Sequence, residues 1–129
     1  MLQFTKETDY GLRFLTKLIK MPKGHLLSLR IFSKSAGISF LFLQRIVKKL
    51  KAAGIIDATK GASGGYFLKK NPKHLNVKDV VEALEGKCNL SHCYKAGKVC
   101  NHAKKCDAKK IFCKIDAQFM DCLKNIKFI

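Results

Sequence analysis

At 129 residues, the chain is long enough for one compact domain with its own hydrophobic core. Its hydrophobic content of 47% argues against an intrinsically disordered protein. Lys and Arg number 26 against 9 Asp and Glu, a formal net charge of +17, and this excess favours a polyanionic partner. A lysine-rich surface without any function would give the same excess, so the positions of the charges must distinguish the two interpretations.

The start of the chain, MLQFTKETDYGLR, carries charges at Lys6, Glu7 and Asp9 and has no apolar run of the length found in signal peptides. No stretch of the sequence approaches the roughly 20 apolar residues that cross a bilayer. We therefore expect a cytoplasmic protein that does not contact the membrane. In the cytoplasm thiols stay reduced, so a cysteine cluster binds metal more often than it forms structural disulfides.

Apolar periodicity predicts a first helix over residues 8–21, with Thr8 as its N-cap and Pro22 at its end. A short second helix is predicted over residues 28–36 and stops at Gly37. The apolar face of the first helix is formed by Leu12, Leu15, Leu18 and Ile19.

A third helix follows Ser39, its predicted N-cap, and runs through FLFLQRIVKKLKAA to Gly54. Its buried stripe is formed by Leu43, Ile46, Val47 and Leu50. The basic residues that fall largely outside this stripe are Arg45, Lys48, Lys49 and Lys51. Two helices joined by a short glycine turn, the second amphipathic and basic, form the helix-turn-helix pattern, which many other small helical domains share.

The segment IIDATKGASGGYFLKK predicts a β-hairpin directly after the basic helix, where a winged helix carries its wing. The predicted elements are strands over 55–58 and 66–68 and a turn over 60–65. Glycines such as Gly64 and Gly65 let the backbone approach phosphates or a narrow minor groove. An ordinary hairpin turn also uses glycine, but it does not need the flanking positive charge of Lys60, Lys69 and Lys70.

We expect a mainly α-helical protein with a small β-wing, divided into three parts. Residues 1–86 form the winged helix-turn-helix domain, which ends with a short helix in NVKDVVEALEG, and residues 87–107 form a cysteine-rich loop. Residues 108–129 form a dimerisation helix, predicted over 108–126, because its apolar stripe needs a cover and a second copy is the usual one. The stripe is formed by Ile111, Ile115, Phe119, Leu123 and Ile126.

The loop sequence SHCYKAGKVCNHAKKC, residues 91–106, contains three cysteines and two histidines. Such a thiolate set suits zinc or an iron–sulfur cluster. Counted from Cys88, the gaps between cysteines are 4, 6 and 5 residues, wider than the usual zinc knuckle, which favours a cluster. Redox sensing by the thiols, promoted by the surrounding lysines, and unliganded surface cysteines are the other interpretations. Cys122 suits interface packing, and the role of Cys113 stays open.

The order of these motifs resembles the Rrf-type winged-helix transcriptional regulators, the IscR/NsrR-like family. The strings that carry the resemblance are TDYGLR, GIS before the third helix, LKAAGII, KGASGGYFL and VVEALEG before the cysteine loop. The resemblance extends from Leu2 to about Ile126. It implies a homodimer whose C-terminal helices cross and which reads a palindromic double-stranded DNA operator.

In cluster-binding members of this family, three loop cysteines hold the iron, and Cys93, Cys100 and Cys106 occupy that place here. The resemblance therefore implies an iron–sulfur cluster, of the 2Fe–2S or 4Fe–4S type. An IscR-like histidine ligand is replaced by Lys109, which cannot ligate iron while it is protonated. Asp9 matches the aspartate that NsrR-like sites take from the other subunit, although an acid in a first helical turn is also favoured by the helix dipole. Substitute ligands are Cys88, His92, His102 and Cys113.

In the family, the residues after the GIS turn face the major groove. The corresponding residues here are Ser39, Phe40, Leu41, Phe42 and Gln44, with Arg45 and Lys48 available for phosphates. Gln44 suits adenine and Leu41 or Phe42 suits a thymine methyl, which predicts an A·T-rich half-site. Lys60 is predicted to enter the minor groove.

The sequence therefore predicts a dimeric winged-helix regulator that senses redox, nitric oxide or iron status through its cluster. The alternative is a regulator that senses by thiol and disulfide chemistry or holds structural zinc. We expect no enzyme, because the chain has neither an ordered Cys/His/Asp set nor a nucleotide-binding glycine motif before a helix.

Overall fold

The computed structural model describes residues 3–87, 90–91, 94–95, 98–102 and 104–129, without the side chains of 94–95 and 98–99. In chain order the helices are α1 (Lys6–Lys20), α2 (Leu29–Ala36), α3 (Phe40–Ala52), α4 (Val77–Glu85) and α5 (Lys109–Asn125). The strands are β1 (Ile56–Thr59), β2 (Gly65–Leu68), β3 (Tyr94–Lys95) and β4 (Lys98–Val99), and a 3-10 turn covers Pro72–His74. The prediction of a mainly α-helical protein with a small β-wing is confirmed.

Side-chain caps define where α1 to α4 begin. Ser39 caps α3, as predicted, and Gly37 ends α2 with a φ of 67°. Ser28, which the prediction placed inside the second helix, is the N-cap of α2. The prediction that Thr8 caps α1 was wrong, because Thr5 takes that place and accepts a hydrogen bond of 3.3 Å from the Thr8 backbone N–H. Thr8 lies inside the helix and is fully buried. Its hydroxyl needs a partner there and donates to Glu85 at 2.5 Å, a contact across 77 residues that local sequence does not reveal.

The core joins α1, α3 and α4 with the base of the hairpin. Phe14 is 0% exposed and meets Phe32 of α2 and Tyr66 of β2 edge-to-face, at centroid distances of 5.4 and 6.0 Å. The other fully or almost fully buried hydrophobic residues include Leu15, Leu43, Ile46, Leu50, Ile55, Ile56, Leu75, Val80 and Val81. Phe14 therefore ties three separate elements to one another.

The hairpin is antiparallel, with Ile56 opposite Leu68 and Thr59 opposite Gly65. Leu27, from the connection between α1 and α2, exchanges two hydrogen bonds of 2.9 Å with Tyr66 and so lies against the second strand. The hairpin is therefore attached to the helical body by backbone bonds as well as by side-chain packing.

The C-terminal end of α5 returns to the first domain. The Val77 N–H donates to the Ile126 carbonyl at 3.0 Å, Asn76 forms a bridge with Lys127, and Leu123 and Phe128 pack inward. The predicted division at residues 86/87 and 107/108 stays a prediction. Within the described residues, none of the helices combines the length and apolarity that a membrane span requires.

Candidate nucleic-acid interface and cysteine segment

The outer face of α3 carries four of the predicted DNA-binding side chains. Leu41, Gln44, Arg45 and Lys48 are all exposed, and Leu41 is 73% exposed. Their spacing places them on one side of the helix, because residues three and four apart are neighbours on a helical surface. The opposite side is the buried stripe predicted from the sequence. An exposed Leu beside Gln, Arg and Lys offers apolar, hydrogen-bonding and cationic groups together.

Phe40 and Phe42 point toward the body of the protein more than Leu41 does. Both are half-buried and pack against the core, and Phe42 meets Tyr10 of α1 edge-to-face at 5.5 Å. A guanidinium group lies over each ring: the Cζ of Arg30 is 4.5 Å from the ring centroid of Phe40, and that of Arg45 is 5.8 Å from the ring centroid of Phe42. Such stacking orients the guanidinium groups toward the outside. Base contacts by Phe40 and Phe42 stay a prediction.

An ion-pair group connects α3 to two other helices. Glu7 of α1 accepts from Lys49 at 2.6 Å and more weakly from Arg45 at 3.5 Å. Lys49 also donates to the Leu84 carbonyl, at the end of α4, at 3.1 Å. Lys49 is therefore occupied inside the domain. The pair of Arg45 with Glu7 is long and exposed, a type that stabilises proteins by at most about 1 kcal/mol, so Arg45 stays available to a ligand.

The structure adds Lys6 and Arg30 to the candidate DNA-binding residues, and the sequence had not indicated either of them. Lys6 lines an open cleft together with Tyr10, Ser39 and Arg45, where the first turn of α1 meets the start of α3. Arg30 is exposed and stacked on Phe40. Lys6 was not considered because the predicted first helix began at residue 8. Arg30 could not be identified from the sequence because its stacking on Phe40 is a tertiary contact between α2 and α3.

Lys60 in the hairpin loop and Lys69 directly after β2 are exposed to solvent, whereas Lys70 forms an ion pair of 2.7 Å with Asp79 of α4. The glycines have a reason inside the protein. A Cβ on Gly64 would lie 2.1 Å from the Thr59 carbonyl, and one on Gly65 would lie 2.9 Å from the Leu27 carbonyl. The protein's own backbone therefore requires glycine at both positions, and their contact with DNA stays a prediction.

The cysteine segment is described in part. Cys93, with the substitute ligands Cys88 and His92, lies outside the described residues. Cys100 and Cys106 are half-buried free thiols, and Cys113 and Cys122 are exposed on α5. Within the ranges that the structure describes, no three His, Cys, Asp or Glu residues come close enough to hold a metal.

Asp9 lies on the exposed side of α1 and pairs with Arg13 at 3.0 Å. An exposed position of this kind is open to a second molecule. The described donors comprise two soft thiols, which suit iron–sulfur chemistry, and one exposed carboxylate. These donor types fit a cluster, but among the described residues they do not form a site.

Two carboxylates bracket the start of this segment. Glu85, the last residue of α4, accepts hydrogen bonds from Thr5 N–H at 3.1 Å and from the Thr5 and Thr8 hydroxyls at 2.5 Å each. On the other side, Asp116 of α5 accepts from the Leu90 and Ser91 N–H groups at 2.9 and 3.1 Å. The segment is therefore tied to the beginning of α1 and to the middle of α5.

Partial burial acts to raise the pKa of Glu85, but the hydrogen bonds from Thr5 and Thr8 and the charge of Lys49 outweigh it, so the pKa is lowered from its ordinary 4.5. A carboxylate with a lowered folded-state pKa stabilises the fold above its unfolded pKa, and this contribution is lost as the pH falls through the folded value. We expect Glu85→Gln to be less stable than the parent at pH 7. The difference should shrink in chemical unfolding below about pH 4.5.

Glu82→Gln is the matched control, since among the described residues the carboxylate of Glu82 forms one long pair, of 3.6 Å with Lys78 one turn away. A stability difference for Glu85→Gln that stays constant between pH 7 and pH 3 would contradict this role of Glu85.

Comparison with known proteins agrees with this geometry. The family described as "Rrf2: Iron-dependent Transcriptional regulator" matches residues 4–128. The chain belongs to the Rrf2 family. Among curated relatives, the HTH-type transcriptional regulator NsrR of Shouchella clausii is 34% identical over 93 residues, which cover 72% of this chain and 62% of the relative. NsrR of Halalkalibacterium halodurans is also 34% identical over 93 residues, which cover 64% of its length. The match thus spans less than two thirds of either relative.

Solved structures show the same fold. CymR of B. subtilis has a TM-score of 0.79 at 23% identity, with 99% of this chain and 94% of that chain covered. T. potens IscR has a TM-score of 0.76 at 22% identity, with 98% and 83% covered. The predicted resemblance to Rrf-type regulators is confirmed, and so is the winged-helix fold with a C-terminal helix. The Rrf2 family consists of transcriptional regulators, which supports the prediction that this Rrf2 chain is not an enzyme.

Proposed function

We propose that this Rrf2 chain is a dimeric DNA-binding transcriptional regulator that senses redox, nitric oxide or iron status through an iron–sulfur cluster. The observation that carries the DNA-binding part is the exposed face of α3, with Leu41, Gln44, Arg45 and Lys48, which lies on the domain that carries the basic hairpin loop. The net charge of +17 supports a polyanionic partner.

In this proposal α3 enters the major groove. Gln44 forms a bidentate pair with adenine, and Leu41 contacts a thymine methyl group. Lys48 and Arg45 bind phosphates, and we add Lys6 and Arg30 to them. The cleft next to Lys6 supports the addition of Lys6, and the stacking on Phe40 supports that of Arg30, because a guanidinium held on a ring loses less freedom on binding.

Lys60 tests the role of the hairpin as a wing. Because Lys60 is exposed in the loop, we expect Lys60→Ala to weaken binding to all DNA sequences and to lower the slope of log K against log salt by about 1. The measurement is a titration of a palindromic A·T-rich duplex at four salt concentrations. Lys124→Ala, an exposed lysine on α5, is the control, and a slope equal to that of the parent would exclude a phosphate contact by Lys60.

The homodimer is proposed to form through α5. Ile111, Phe112 and Ile115 are exposed large apolar residues on this helix, and a second copy would cover them. A two-fold dimer presents two copies of α3, which suits a palindromic operator.

The cluster is proposed to be held by Cys93, Cys100 and Cys106, with Asp9 of the second copy as fourth ligand. The half-buried free thiols of Cys100 and Cys106, the exposed carboxylate of Asp9 and the two NsrR relatives support this assignment. When bound, such a cluster supplies a group that reacts with oxidants and nitric oxide. The chain's own contribution is to hold the thiolates between α4 and α5.

The alternative is sensing by cysteine thiol or disulfide chemistry, or structural zinc, without a cluster. It is supported by the free Cys100 and Cys106 thiols.

Anaerobically purified protein separates the two alternatives. We expect visible absorbance with matching iron and sulfide, and the loss of all three in Cys100→Ala but not in Cys122→Ala. Operator affinity should change with the cluster in the parent protein. A colourless protein that takes up no iron on reconstitution would favour the thiol or zinc alternative and leave DNA binding untouched. DNA affinity that is equal with and without the cluster would contradict sensing through it.

A further inference from the structure

The middle of α5 holds the beginning of the cysteine segment through one side chain, Asp116. Its Oδ1 accepts from the Leu90 N–H at 2.9 Å and from the Ser91 N–H at 3.1 Å. Its Oδ2 accepts from the Ser91 hydroxyl at 2.5 Å. Asp116 is half-buried, so these charge-assisted bonds are partly shielded from water. A contact between residues 25 and 26 positions apart is a tertiary anchor and does not arise from helix formation itself.

We propose that Asp116 is the positioning residue of the sensing segment: it fixes Leu90 and Ser91, which precede Cys93 in the sequence, to α5, and so couples the state of the cysteines to the proposed dimerisation helix. The proposal rests on the proposed function only in taking this segment as the sensor. It assigns no metal ligand, and it applies whether the cysteines hold a cluster or react as thiols.

The hydrogen bonds from Leu90 and Ser91 to Asp116 matter for the cysteines because of where Ser91 stands in the sequence. Ser91 precedes Cys93 by two residues in the sequence. On the other side of the segment, Glu85 is bonded to the first turn of α1, the helix that carries Asp9. The segment therefore leaves α4 from one fixed point and reaches a second fixed point just before Cys93.

Apolar contacts reinforce the second fixed point. Leu90 lines a small pocket with Phe4 and Phe119, and Phe119 is on α5 less than one turn from Asp116. The exposed Ile115 precedes Asp116 directly. A displacement of Cys93 that pulls on Ser91 therefore acts on the part of α5 that carries the apolar face.

The test compares variants that keep or remove the acceptor. Asp116→Asn keeps an oxygen for the two N–H groups, whereas Asp116→Leu has similar size and no acceptor. Asp121→Leu, which removes an exposed acid from the same helix, is the matched control. The first readout is hydrogen–deuterium exchange at Leu90 and Ser91 in the reduced, metal-free protein, which requires no cluster. We expect exchange there to rise about tenfold or more in Asp116→Leu, less in Asp116→Asn, and not in Asp121→Leu.

The second readout separates positioning from a merely structural contact. For protein that carries a cluster, we expect its visible absorbance to decay several-fold faster with a chelator in Asp116→Leu, and the Asn variant to restore most of the lifetime. If the parent forms no cluster, so that this part of the proposed function fails, the readout is the alkylation rate of Cys93 by mass spectrometry, and a several-fold rise in Asp116→Leu supports the proposal. Unchanged exchange at Leu90 and Ser91 in Asp116→Leu overturns the proposal. Raised exchange also overturns it if the cluster lifetime, or the Cys93 alkylation rate in a protein without a cluster, is unchanged.

Discussion

Replacing Ile111 and Ile115 together by Glu is expected to convert the proposed dimer into a monomer at micromolar concentration. The two side chains are 63% and 44% exposed in the single chain, on the helix face that the proposed second copy covers. Dimerisation would then bury two unpaired carboxylates per chain, and each costs several kcal/mol. A monomer offers one half-site contact at a time, so affinity for a palindromic operator should fall by about 100-fold or more.

Sedimentation equilibrium and an operator titration measure the two effects. Lys114→Glu is the control, because it places a new carboxylate at an exposed position of α5 outside the predicted apolar stripe. If the double variant remains a dimer, the face of α5 with Ile111 and Ile115 is not the interface. A monomer that binds the operator as tightly as the parent would show that dimerisation does not contribute to DNA recognition.

Truncating Phe14 to Ala is expected to lower the free energy of unfolding by about 3–5 kcal/mol. Phe14 is 0% exposed and holds Phe32 and Tyr66 in edge-to-face contact, so its removal leaves a cavity where α1, α2 and the hairpin meet. Since a domain of this size has a total stability of about 5–15 kcal/mol, the variant should be close to unfolding at 37 °C.

Urea unfolding of the metal-free protein tests this effect. The midpoint should fall while the slope m stays the same, because the extent of the fold does not change. Ile31→Ala is the control, since Ile31 is 67% exposed and its truncation should cost well under 1 kcal/mol. A loss below about 1 kcal/mol for Phe14→Ala would mean that the neighbours close the cavity and that the three elements do not depend on this ring.

The parts of the fold that sequence predicted are those decided within a few residues. Ser39 caps α3 because the residues after it already carry the helical pattern, and Gly37 ends α2 because glycine adopts a positive φ readily. The start of α1 was misplaced because its cap competes with a long-range contact. Thr8 is as good a cap as Thr5 by residue type, and only the carboxylate of Glu85 explains why it is buried.

In the candidate site, too, the features set by local sequence could be predicted and those set by tertiary contacts could not. The exposed positions of α3 at Gln44, Arg45 and Lys48 follow from helical periodicity. Periodicity could not show that Tyr10 packs against Phe42, or that Lys49 is used by Glu7 and the end of α4. Likewise, the sequence made the wing glycines plausible for DNA, while the backbone that approaches Gly65 comes from Leu27, 38 positions earlier.

The chain end after α5 packs back onto the start of α4, so a rotation of α5 about this end displaces its other end. The bond between Val77 N–H and the Ile126 carbonyl, with Phe128 packed inward, fixes one end of the helix to the DNA-binding domain. A helix of 17 residues is about 25 Å long. A rotation of about 5° around the fixed end would therefore move the first turn, next to the cysteine segment, by about 2 Å. In the proposed dimer, a displacement of that size at the first turn would accompany a small rotation between α5 and α3, and it would change the spacing between the two copies of α3.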